Sequence, residues 1–338
     1  MSRAFKPKTY GANRGYMIIK GALVGLGRVG LSYDIDLPPE EYVLSHARAL
    51  NQHPNIEFVG AVDIAFSKVS KFRHTYSVPV FLSVREMVQS TQPDLIIIAT
   101  PTRMCVQVAH EILDRYSPSF ILIEKPMSHN VIEAERLVNR CIELGVRLYV
   151  NYTRRSVPGF QVIKERIQNG TYSGPFIGSA WYTNGIYNNG SHMINLFEFF
   201  FGELLDYSQS FTLFERDSDF DLELNLNFKN CKLQVFPIPM ENYSTFGFTL
   251  FGSNGVLKLE PGFEGFSWVG ANKDSVFSEV RTLSNPRINF QSGMQKSQMH
   301  VLDSILGLQN DSNLNACTGV DGLNTLRNID RMVRSANG

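Results

Sequence analysis

The segment Phe120–Met127, with the sequence FILIEKPM, constrains the fold of this chain more than any other stretch. Its first four residues are apolar, which suits a short strand that is buried on both faces of a sheet. Glu124-Lys125-Pro126 then ends the strand, because charges are costly inside a sheet and proline lacks the N–H that a ladder needs. Open parallel sheets bind ligands beyond the carboxyl ends of their strands, so the segment predicts a charged ligand-binding edge. The alternative interpretation is a solvated strand end at which Lys125 has no role.

A second apolar run, Ile18–Val24, leads directly into GLGRVG at 25–30, which is a G-x-G-x-x-G sequence. Glycines at these positions allow a tight turn and a close approach of backbone N–H groups to a pyrophosphate. The motif is weak evidence on its own, so its meaning depends on the strands that follow it.

Two later runs support a dinucleotide site. Glu57–Val62 is followed by Asp63, and an acidic residue at this strand end can bind both ribose hydroxyls of NAD and repel the 2′-phosphate of NADP. Asp94–Ala99 is followed by Thr100-Pro101. Together with FILIEKPM, this succession of strand ends predicts a Rossmann dinucleotide-binding domain.

The order of these motifs, followed by Tyr152-Thr153-Arg154-Arg155 and Pro158, resembles the Gfo/Idh/MocA family of NAD(P)-dependent oxidoreductases, which includes glucose–fructose oxidoreductase and inositol dehydrogenase. The resemblance runs from about Met17 to the C-terminus, and its most specific part is EKP followed by YxRR. It implies hydride transfer between a nicotinamide and a hydroxyl-bearing carbon of a sugar, cyclitol or nucleotide-sugar. The cofactor-binding residues that it implies are Gly25, Gly27, Arg28, Val29, Gly30, Asp63, Thr100, Pro101, Glu124 and Lys125.

The cofactor expected from these residues is NAD(H) rather than NADP(H), because Asp63 would repel a 2′-phosphate. Lys68 and Arg73 lie close enough to Asp63 in the sequence to keep NADP(H) open.

The resemblance also suggests two catalytic residues, Lys125 and His192. A lysine beside the reacting oxygen stabilises a developing alkoxide, and burial lowers its pKa so that it can relay a proton. Many relatives carry D-x-x-x-H, and the matching stretch here runs from Asn188 to His192, with Asn195 at a further position that is often Asp. An asparagine can fix a hydroxyl or an imidazole tautomer, but it cannot raise the pKa of the histidine by charge.

The predicted substrate-binding residues are Tyr152, Arg154, Arg155, Asn188, His192 and Asn195. An arginine in the pocket can bind a carboxylate or phosphate in a bidentate manner, whereas one of the two neighbouring arginines is expected only to tie loops together. The main prediction is an NAD(H)-dependent oxidoreductase. Two alternatives stay open: an NAD-dependent glycosidase-like enzyme, and a non-catalytic dinucleotide-binding sensor or co-repressor, which the loss of two carboxylates would fit.

At 338 residues the chain has room for two domains. We expect a flexible arm at 1–16, a Rossmann NAD(P)-binding domain of the α/β class at 17–150, and an α+β substrate-binding and oligomerisation domain at 151–338. The alternating run Asp221–Phe228 and the hairpin around Gly252–Gly255 predict that the second domain is built on an open, mainly antiparallel sheet. In the family, the C-terminal helix packs back on the first domain.

The spacing between the glycine motif and Asp63 indicates an insertion. Asp63 lies 33 residues after Gly30, whereas about 20 separate the motif from its acidic residue in ordinary Rossmann units. Pro38-Pro39 interrupts the expected helix, so Glu40–Asn51 is predicted as the first helix. The residues at 33–39 leave from the cofactor loop and are either part of the pocket wall or a surface elaboration.

The composition restricts the partners. The net charge is zero, which gives no reason to expect nucleic acid or an anionic membrane as a partner. The four cysteines are far apart and form no C-x-x-C, so they are expected to be buried thiols, with no metal site. No apolar run is long enough to span a membrane and no signal peptide is evident, so a cytoplasmic protein is expected. A homo-dimer or homo-tetramer is expected from the family resemblance alone.

Overall fold

The first sheet contains six parallel strands. The structure, a computed structural model, describes residues 18–216, 219–238, 243–259, 265–277, 279–283, 287–307 and 315–336, so the arm expected at 1–16 lies outside the described residues. The strand order is β3-β2-β1-β4-β5-β6, which is the doubly wound order of a Rossmann sheet and confirms the predicted fold class. The strands are β1 Ile19–Val24, β2 Ile56–Val62, β3 Val80–Phe81, β4 Leu95–Ile98, β5 Phe120–Ile123 and β6 Arg147–Val150.

Helices cover both faces of this sheet because its central strands have no polar face. All four side chains of β4 and of β5 are buried, as their continuous apolar sequences predict. One helix follows each of the strands β1 to β5. These helices are α1 His46–Gln52, α2 Phe66–Thr75, α3 Val84–Thr91, α4 Thr102–Leu113 and α5 Val131–Glu143. The order reverses between β1 and β4, so the glycine motif, Thr100 and Glu124-Lys125 meet at one edge of the sheet.

The second sheet has nine strands and is mainly antiparallel, as predicted; the β7–β10 pair is parallel. Its order is β14-β13-β12-β11-β7-β10-β9-β8, and β15 pairs with β13. The strands are β7 Phe176–Tyr182, β8 Leu204–Arg216, β9 Asp219–Phe228, β10 Cys231–Pro237, β11 Phe246–Gly252, β12 Gly255–Leu259, β13 Gly265–Lys273, β14 Arg281–Leu283 and β15 Ile288–Gln291. The helices α6 Pro158–Gln168 and α7 Ser191–Phe201 precede or interleave with these strands. Phe197 of α7 packs edge-on against Phe248 of β11, which places α7 on one face of the sheet.

The C-terminal part of the chain returns to the first sheet. The helix α8, Ser297–Ile305, places Val301, Leu302 and Ile305 in the same apolar core as α1 and one face of that sheet. The helix α9, Gly319–Ala336, packs beside α5 and β6, and Thr318 bridges to Tyr149. The domain limits drawn from the sequence stay predictions. The helices α8 and α9 lie in the second half of the sequence, but they pack against elements of both halves.

The first helix is shorter than predicted. Its expected start at Glu40 was wrong: α1 begins at His46, after Ser45, whose hydroxyl oxygen accepts a hydrogen bond from the N–H of Arg48 at 3.3 Å. The N–H groups of Leu44 and Ser45 are instead bound by the Asp34 carboxylate, at 2.6 and 2.8 Å. Side-chain capture of these donors holds the preceding residues out of the helix.

The insertion is anchored in the interior by one buried side chain, although most of its residues are exposed. Asp34 is 1% exposed, and its Oδ1 lies 3.7 Å from Nε of Arg48. The Arg48 guanidinium donates hydrogen bonds to the backbone carbonyls of Asp34, Leu37 and Tyr42. Val43 exchanges two backbone hydrogen bonds with the start of α8, through Gln295 and Gln298. The segment therefore has a fixed conformation that depends on one buried ion pair.

All four cysteines are buried free thiols, as predicted. Within the part of the chain that the structure describes, no helix combines the length and the apolar character needed to cross a membrane.

We expect Asp34→Ala to lower the free energy of unfolding by about 3 kcal/mol, because it leaves Arg48 buried without its counter-charge and frees two backbone N–H groups. Chemical denaturation followed by circular dichroism measures this. Asp36→Ala is the matched control, since Asp36 is an exposed aspartate of the same insertion and should change stability little. Equal losses in the two variants would contradict the role of the buried pair.

Candidate active site

The glycine motif fits a dinucleotide because two of its glycines are required by close packing and the third faces open space. Gly25 has a φ of +102°, and a Cβ there would lie 2.5 Å from the carbonyl oxygen of Ala99. A Cβ at Gly30 would lie 2.1 Å from the carbonyl oxygen of Gly25. A Cβ at Gly27 would meet nothing within 4 Å, and the chain from Arg28 to Ser32 turns there as a single π-helical turn. The open side at Gly27 is where a pyrophosphate can approach backbone N–H groups.

Asp63 lies at the end of β2 with its carboxylate held in place. It is 8% exposed, and it accepts hydrogen bonds from the N–H of Leu26 at 2.8 Å and of Ala65 at 2.9 Å. Nζ of Lys68 lies 3.4 Å from its Oδ2. Among the described residues, Oδ1 accepts only the hydrogen bond from Ala65, so it has a second lone pair that can accept a ribose hydroxyl. Lys68, which in the sequence left NADP(H) possible as the cofactor, is therefore already paired with Asp63.

Thr100 and Pro101 lie between β4 and α4, beside the glycine motif, and Pro101 immediately precedes the helix. The Thr100 hydroxyl lies 3.5 Å from Sγ of Cys105, which is fully buried. Burial raises the pKa of the Cys105 thiol to about 11, so the thiol stays protonated and serves packing.

Glu124 is the centre of a buried hydrogen-bond network. Its Oε1 lies 2.7 Å from Nε2 of His46 and accepts a hydrogen bond from Nδ2 of Asn151 at 2.6 Å. The same Asn151 nitrogen lies 3.2 Å from Oε1 of Gln298. Burial by itself raises the pKa of Glu124, but the hydrogen bonds from His46 and Asn151 and the charge of Lys125 outweigh it and leave the pKa below its ordinary value. The carboxylate thus fixes the start of the turn that carries Lys125.

His46 and Gln298 were not found from the sequence. His46 is 1% exposed and lies within the predicted first helix, Glu40–Asn51. A histidine inside a largely apolar segment needs a polar partner when it is buried. Its presence there was the sequence signal that could have indicated a buried hydrogen bond. Gln298 is 4% exposed, and its partner lies 147 residues away, so the sequence offered no equivalent signal.

Lys125 points at the turn that carries Asn188. Its Nζ lies 2.6 Å from Oδ1 of Asn188 and 3.3 Å from the backbone carbonyl of the same residue. Burial lowers the pKa of Lys125, Glu124 and Asp219 oppose this and Arg154 adds to it, and the resulting pKa is about 8. The ammonium group therefore gains and loses its proton close to neutral pH.

The turn Gly185–Gly190 holds Asn188 in place through carboxylates of β9. Asp219 accepts hydrogen bonds from the N–H groups of Tyr187 and Asn188, at 2.9 and 3.2 Å. Gly185 has a φ of +82°, and a Cβ there would lie 2.1 Å from the Asp219 carboxylate. The close approach of this carboxylate to the backbone requires the glycine.

His192 lies in the first turn of α7, next to Tyr152 of the YxRR segment. The two rings meet edge to face with centroids 5.4 Å apart. Burial, followed by the positive charges of Arg154 and Lys125, holds the pKa of His192 well below its ordinary value. Its Nδ1 is buried and has no hydrogen-bond partner among the described residues. His192 is thus a neutral imidazole with an unused ring nitrogen.

The two arginines have different positions. The Arg154 guanidinium lies 4.0 Å over the ring of Phe246, and burial lowers its pKa to about 9. Nε of Arg155 donates to Oδ1 of Asn195 at 2.9 Å, and its NH1 lies 3.2 Å from Asp321 of α9. Arg155 is the arginine that ties elements together.

Asn195, which was predicted to bind substrate together with Arg155, lies in the contact between α7 and α9, and its role towards a substrate stays a prediction. Asn195 is 1% exposed, and its amide nitrogen donates to Thr325 of α9 at 2.9 Å. Both polar atoms of the side chain are therefore used in the contact between α7 and α9.

A cavity of about 340 Å³ lies between the insertion and the cofactor loop. Its lining residues are Val29, Tyr33, Leu44, Thr153, Ser297 and Gln298. The insertion is thus part of a pocket wall, which was one of the two interpretations open in the sequence. A larger groove of about 580 Å³ runs between β8 and the end of α9, away from these residues. Among the described residues, no cluster of His, Cys, Asp and Glu could hold a metal ion.

Comparison with known families gives two matches. A model described as an oxidoreductase family with an NAD-binding Rossmann fold matches residues 42–152, and the C-terminal alpha/beta domain of the same family matches 183–338. The first match begins after the glycine motif and after the residues at 33–39.

Curated relatives match over part of their length. An inositol 2-dehydrogenase from Rubrobacter xylanophilus is 25% identical over 141 residues, which is 41% of this chain and 40% of that protein. The rhizopine catabolism protein MocA from Rhizobium meliloti is 26% identical over 47% of this chain and 45% of its own. The chain therefore spans less than half the length of these relatives.

Solved structures match over nearly the whole chain. An oxidoreductase from Agrobacterium radiobacter, solved with NAD+, L-tartaric acid and magnesium, has a TM-score of 0.73 at 15% identity and covers 95% of this chain and 97% of its own. The WlbA dehydrogenase from Bordetella pertussis, solved with NADH and UDP-GlcNAcA, has a TM-score of 0.70 at 19% identity and covers 94% and 96%. At these identities the likeness shows the fold.

We expect Asn188→Asp to raise the pKa of Lys125 from about 8 towards the ordinary lysine value, because a carboxylate next to Nζ stabilises the ammonium form. An NMR titration of ¹³C-labelled lysine side chains, assigned with Lys125→Arg, measures the pKa. Asn189→Asp places the same charge one residue further along the turn and should move the pKa less. The same pKa in Asn188→Asp and wild type would rule out this contact.

Proposed function

The chain belongs to the Gfo/Idh/MocA family of oxidoreductases, and from this premise we propose that it transfers a hydride between a nicotinamide cofactor and a hydroxyl- or ketone-bearing carbon of a sugar, cyclitol or nucleotide-sugar. The observation that carries the proposal is the convergence of Lys125, Asn188 and His192 beside the dinucleotide edge of the first sheet. A strongly perturbed lysine and a neutral histidine at a ligand-binding edge are typical of a site that moves protons.

When bound, the nicotinamide supplies the hydride acceptor or donor. Lys125 donates a hydrogen bond to the reacting oxygen and, with a pKa of about 8, stabilises negative charge there while protonated. His192 is neutral, so a ring nitrogen can accept the hydroxyl proton during oxidation and return it during reduction. The two residues thus divide the work: the lysine polarises the oxygen and the histidine carries the proton.

Asn188 takes the place of a carboxylate in this arrangement. Its Oδ1 is an acceptor for Lys125 without adding a negative charge, so the lysine keeps its lowered pKa. A substrate hydroxyl can replace this amide as the partner of Nζ without separating an ion pair. We include Asn188 among the substrate-binding residues for this reason.

The substrate class rests on the site and on the relatives. Four residues are proposed to contact the substrate: Tyr152, Arg154, Asn188 and His192. Arg155 and Asn195, which are hydrogen-bonded to each other, are proposed to hold these residues in position. The relatives named as inositol 2-dehydrogenase and as a dehydrogenase solved with UDP-GlcNAcA support a polyhydroxylated substrate.

The cofactor is proposed to be NAD(H), held by the glycine motif, by Asp63, by Thr100-Pro101 and by the Glu124-Lys125 turn. We expect wild-type protein to bind NAD+ more tightly than NADP+, because the Asp63 carboxylate repels a 2′-phosphate. Asp63→Asn should narrow this preference by about tenfold, since it removes the repulsion but keeps the shape of the side chain. Calorimetric Kd values for both cofactors give the ratio, and a ratio that the substitution leaves unchanged would assign the preference to other residues.

A homo-oligomer formed through the second sheet is also proposed. Ile177 and Phe251 are cross-strand neighbours, and they are 64% and 54% exposed on the face opposite α7. Light scattering on the purified chain tests this, and a monomer at micromolar concentration would oppose it.

We expect Lys125→Ala to lower turnover by at least about 10²-fold while leaving NAD+ affinity largely intact, because it removes the group that polarises the reacting oxygen. Absorbance near 340 nm with a panel of sugars, cyclitols, uronates and nucleotide-sugars follows the reaction in the wild type and the variant. Lys232→Ala is the control, since Lys232 is an exposed lysine of β10. Release of a sugar from a glycoside without net NADH formation would instead favour the glycosidase-like alternative. NAD+ binding without turnover of any compound would favour the sensor.

A further inference from the structure

The cavity beside the insertion lies on one particular side of the cofactor loop. Val29 belongs to the glycine motif at the end of β1, and Thr153 follows the end of β6. In the strand order, β4, β5 and β6 lie on the opposite side of β1 from β2, which carries Asp63. A dinucleotide with its adenosine ribose at Asp63 and its pyrophosphate at the glycine motif therefore has its other half on the side of the cavity.

The polar groups that line the cavity have hydrogen-bonding capacity left over. Ser297 and Gln298 are 5% and 4% exposed, at the start of α8. The Gln298 side-chain oxygen already receives a hydrogen bond from Asn151. Within the described chain, neither the amide nitrogen of Gln298 nor the hydroxyl of Ser297 makes a hydrogen bond. Both atoms keep some accessible surface although their residues are largely buried, so a ligand in the cavity can pair with them.

The remaining walls of the cavity come from apolar or aromatic side chains. Val29, Leu44 and Tyr33 surround the space, and the Arg28 guanidinium lies 5.2 Å over the Tyr33 ring. A flat ring that carries one carboxamide matches a cavity whose walls are mainly apolar or aromatic and also provide one amide donor, from Gln298, and one hydroxyl, from Ser297. Its carbonyl oxygen can accept from the Gln298 amide, and its amide N–H can donate to the Ser297 hydroxyl.

We propose that this cavity is the compartment for the nicotinamide ring, and that the insertion and the start of α8, rather than the glycine motif alone, determine how that ring binds. This inference rests on the proposed function, since it assumes a nicotinamide dinucleotide as the cofactor. It adds Leu44, Ser297 and Gln298 as residues that recognise the ring and its carboxamide.

Two connections join the cavity to the groups that handle the proton. Gln298 is linked through Asn151 to Glu124, which precedes Lys125. Thr153 follows Tyr152, whose ring contacts His192. Through these contacts the cavity adjoins the residues that position Lys125 and His192, so a ring held there lies on their side of the cofactor loop.

The experiment compares two ligands that differ by the nicotinamide ring. We expect Leu44→Trp, which fills the cavity, to weaken NAD+ binding by about tenfold or more and to leave ADP-ribose binding unchanged. Leu37→Trp is the matched control, because Leu37 belongs to the same insertion, is 36% exposed and does not line the cavity. Isothermal titration calorimetry gives both Kd values for each protein, and no turnover is needed.

A milder variant guards against misfolding. Ser297→Ala should weaken NAD+ binding several-fold, again without effect on ADP-ribose, because it removes one hydrogen bond to the carboxamide. Equal losses for both ligands, or no loss for NAD+ in either variant, would overturn the inference while leaving the proposed function standing. A wild-type protein that binds neither ligand would overturn the proposed function itself, and this inference with it.

Discussion

The hydrogen bonds to one buried carboxylate, that of Glu124, determine how the parts of this site fit together. His46 comes from the start of α1, Asn151 from the end of β6, and Gln298, through Asn151, from the start of α8. A buried carboxylate is stable only when such donors surround it, so each of these elements must reach its position for the others to be stable. Lys125 is the next residue, and its direction is a consequence of this arrangement.

The charges of the site follow from what surrounds Lys125 and His192. Both groups are buried, and burial is the largest cause of the lowered pKa of each. Arg154 adds to the effect in both cases, and Asn188 contributes an oxygen where a carboxylate would have opposed it. The replacement that weakened the dehydrogenase interpretation at the level of sequence therefore has a definite physical effect. It keeps a lysine with a pKa of about 8 in the same site as a histidine whose pKa is held low enough to leave it neutral.

The sequence predicted those parts of the structure that depend on local signals. The strand ends at Gly25, Asp63 and Glu124 were recognisable because an apolar run stops abruptly at each one. The shape of the insertion was not, because it depends on the contact between Asp34 and Arg48 inside a buried loop. The positions of Arg155 and Asn195 were not predictable from local patterns either, because their residue types suit a substrate pocket. Their polar groups bind α9, which lies more than 120 residues further along the chain. Local patterns fix where strands end, whereas distant partners decide whether a polar side chain faces the ligand or the interior.

The rigidity of the insertion bears on how a ligand would bind beside it. A loop of this length that was free in solution would lose conformational entropy each time a ligand ordered it, which weakens affinity. Here the buried Asp34–Arg48 contact and the backbone hydrogen bonds of Val43 with α8 fix the loop during folding. The wall that Tyr33 and Leu44 contribute is therefore present before a ligand arrives. The cost of ordering the segment becomes part of the free energy of folding, and the contacts that the wall makes with a ligand can contribute more fully to affinity.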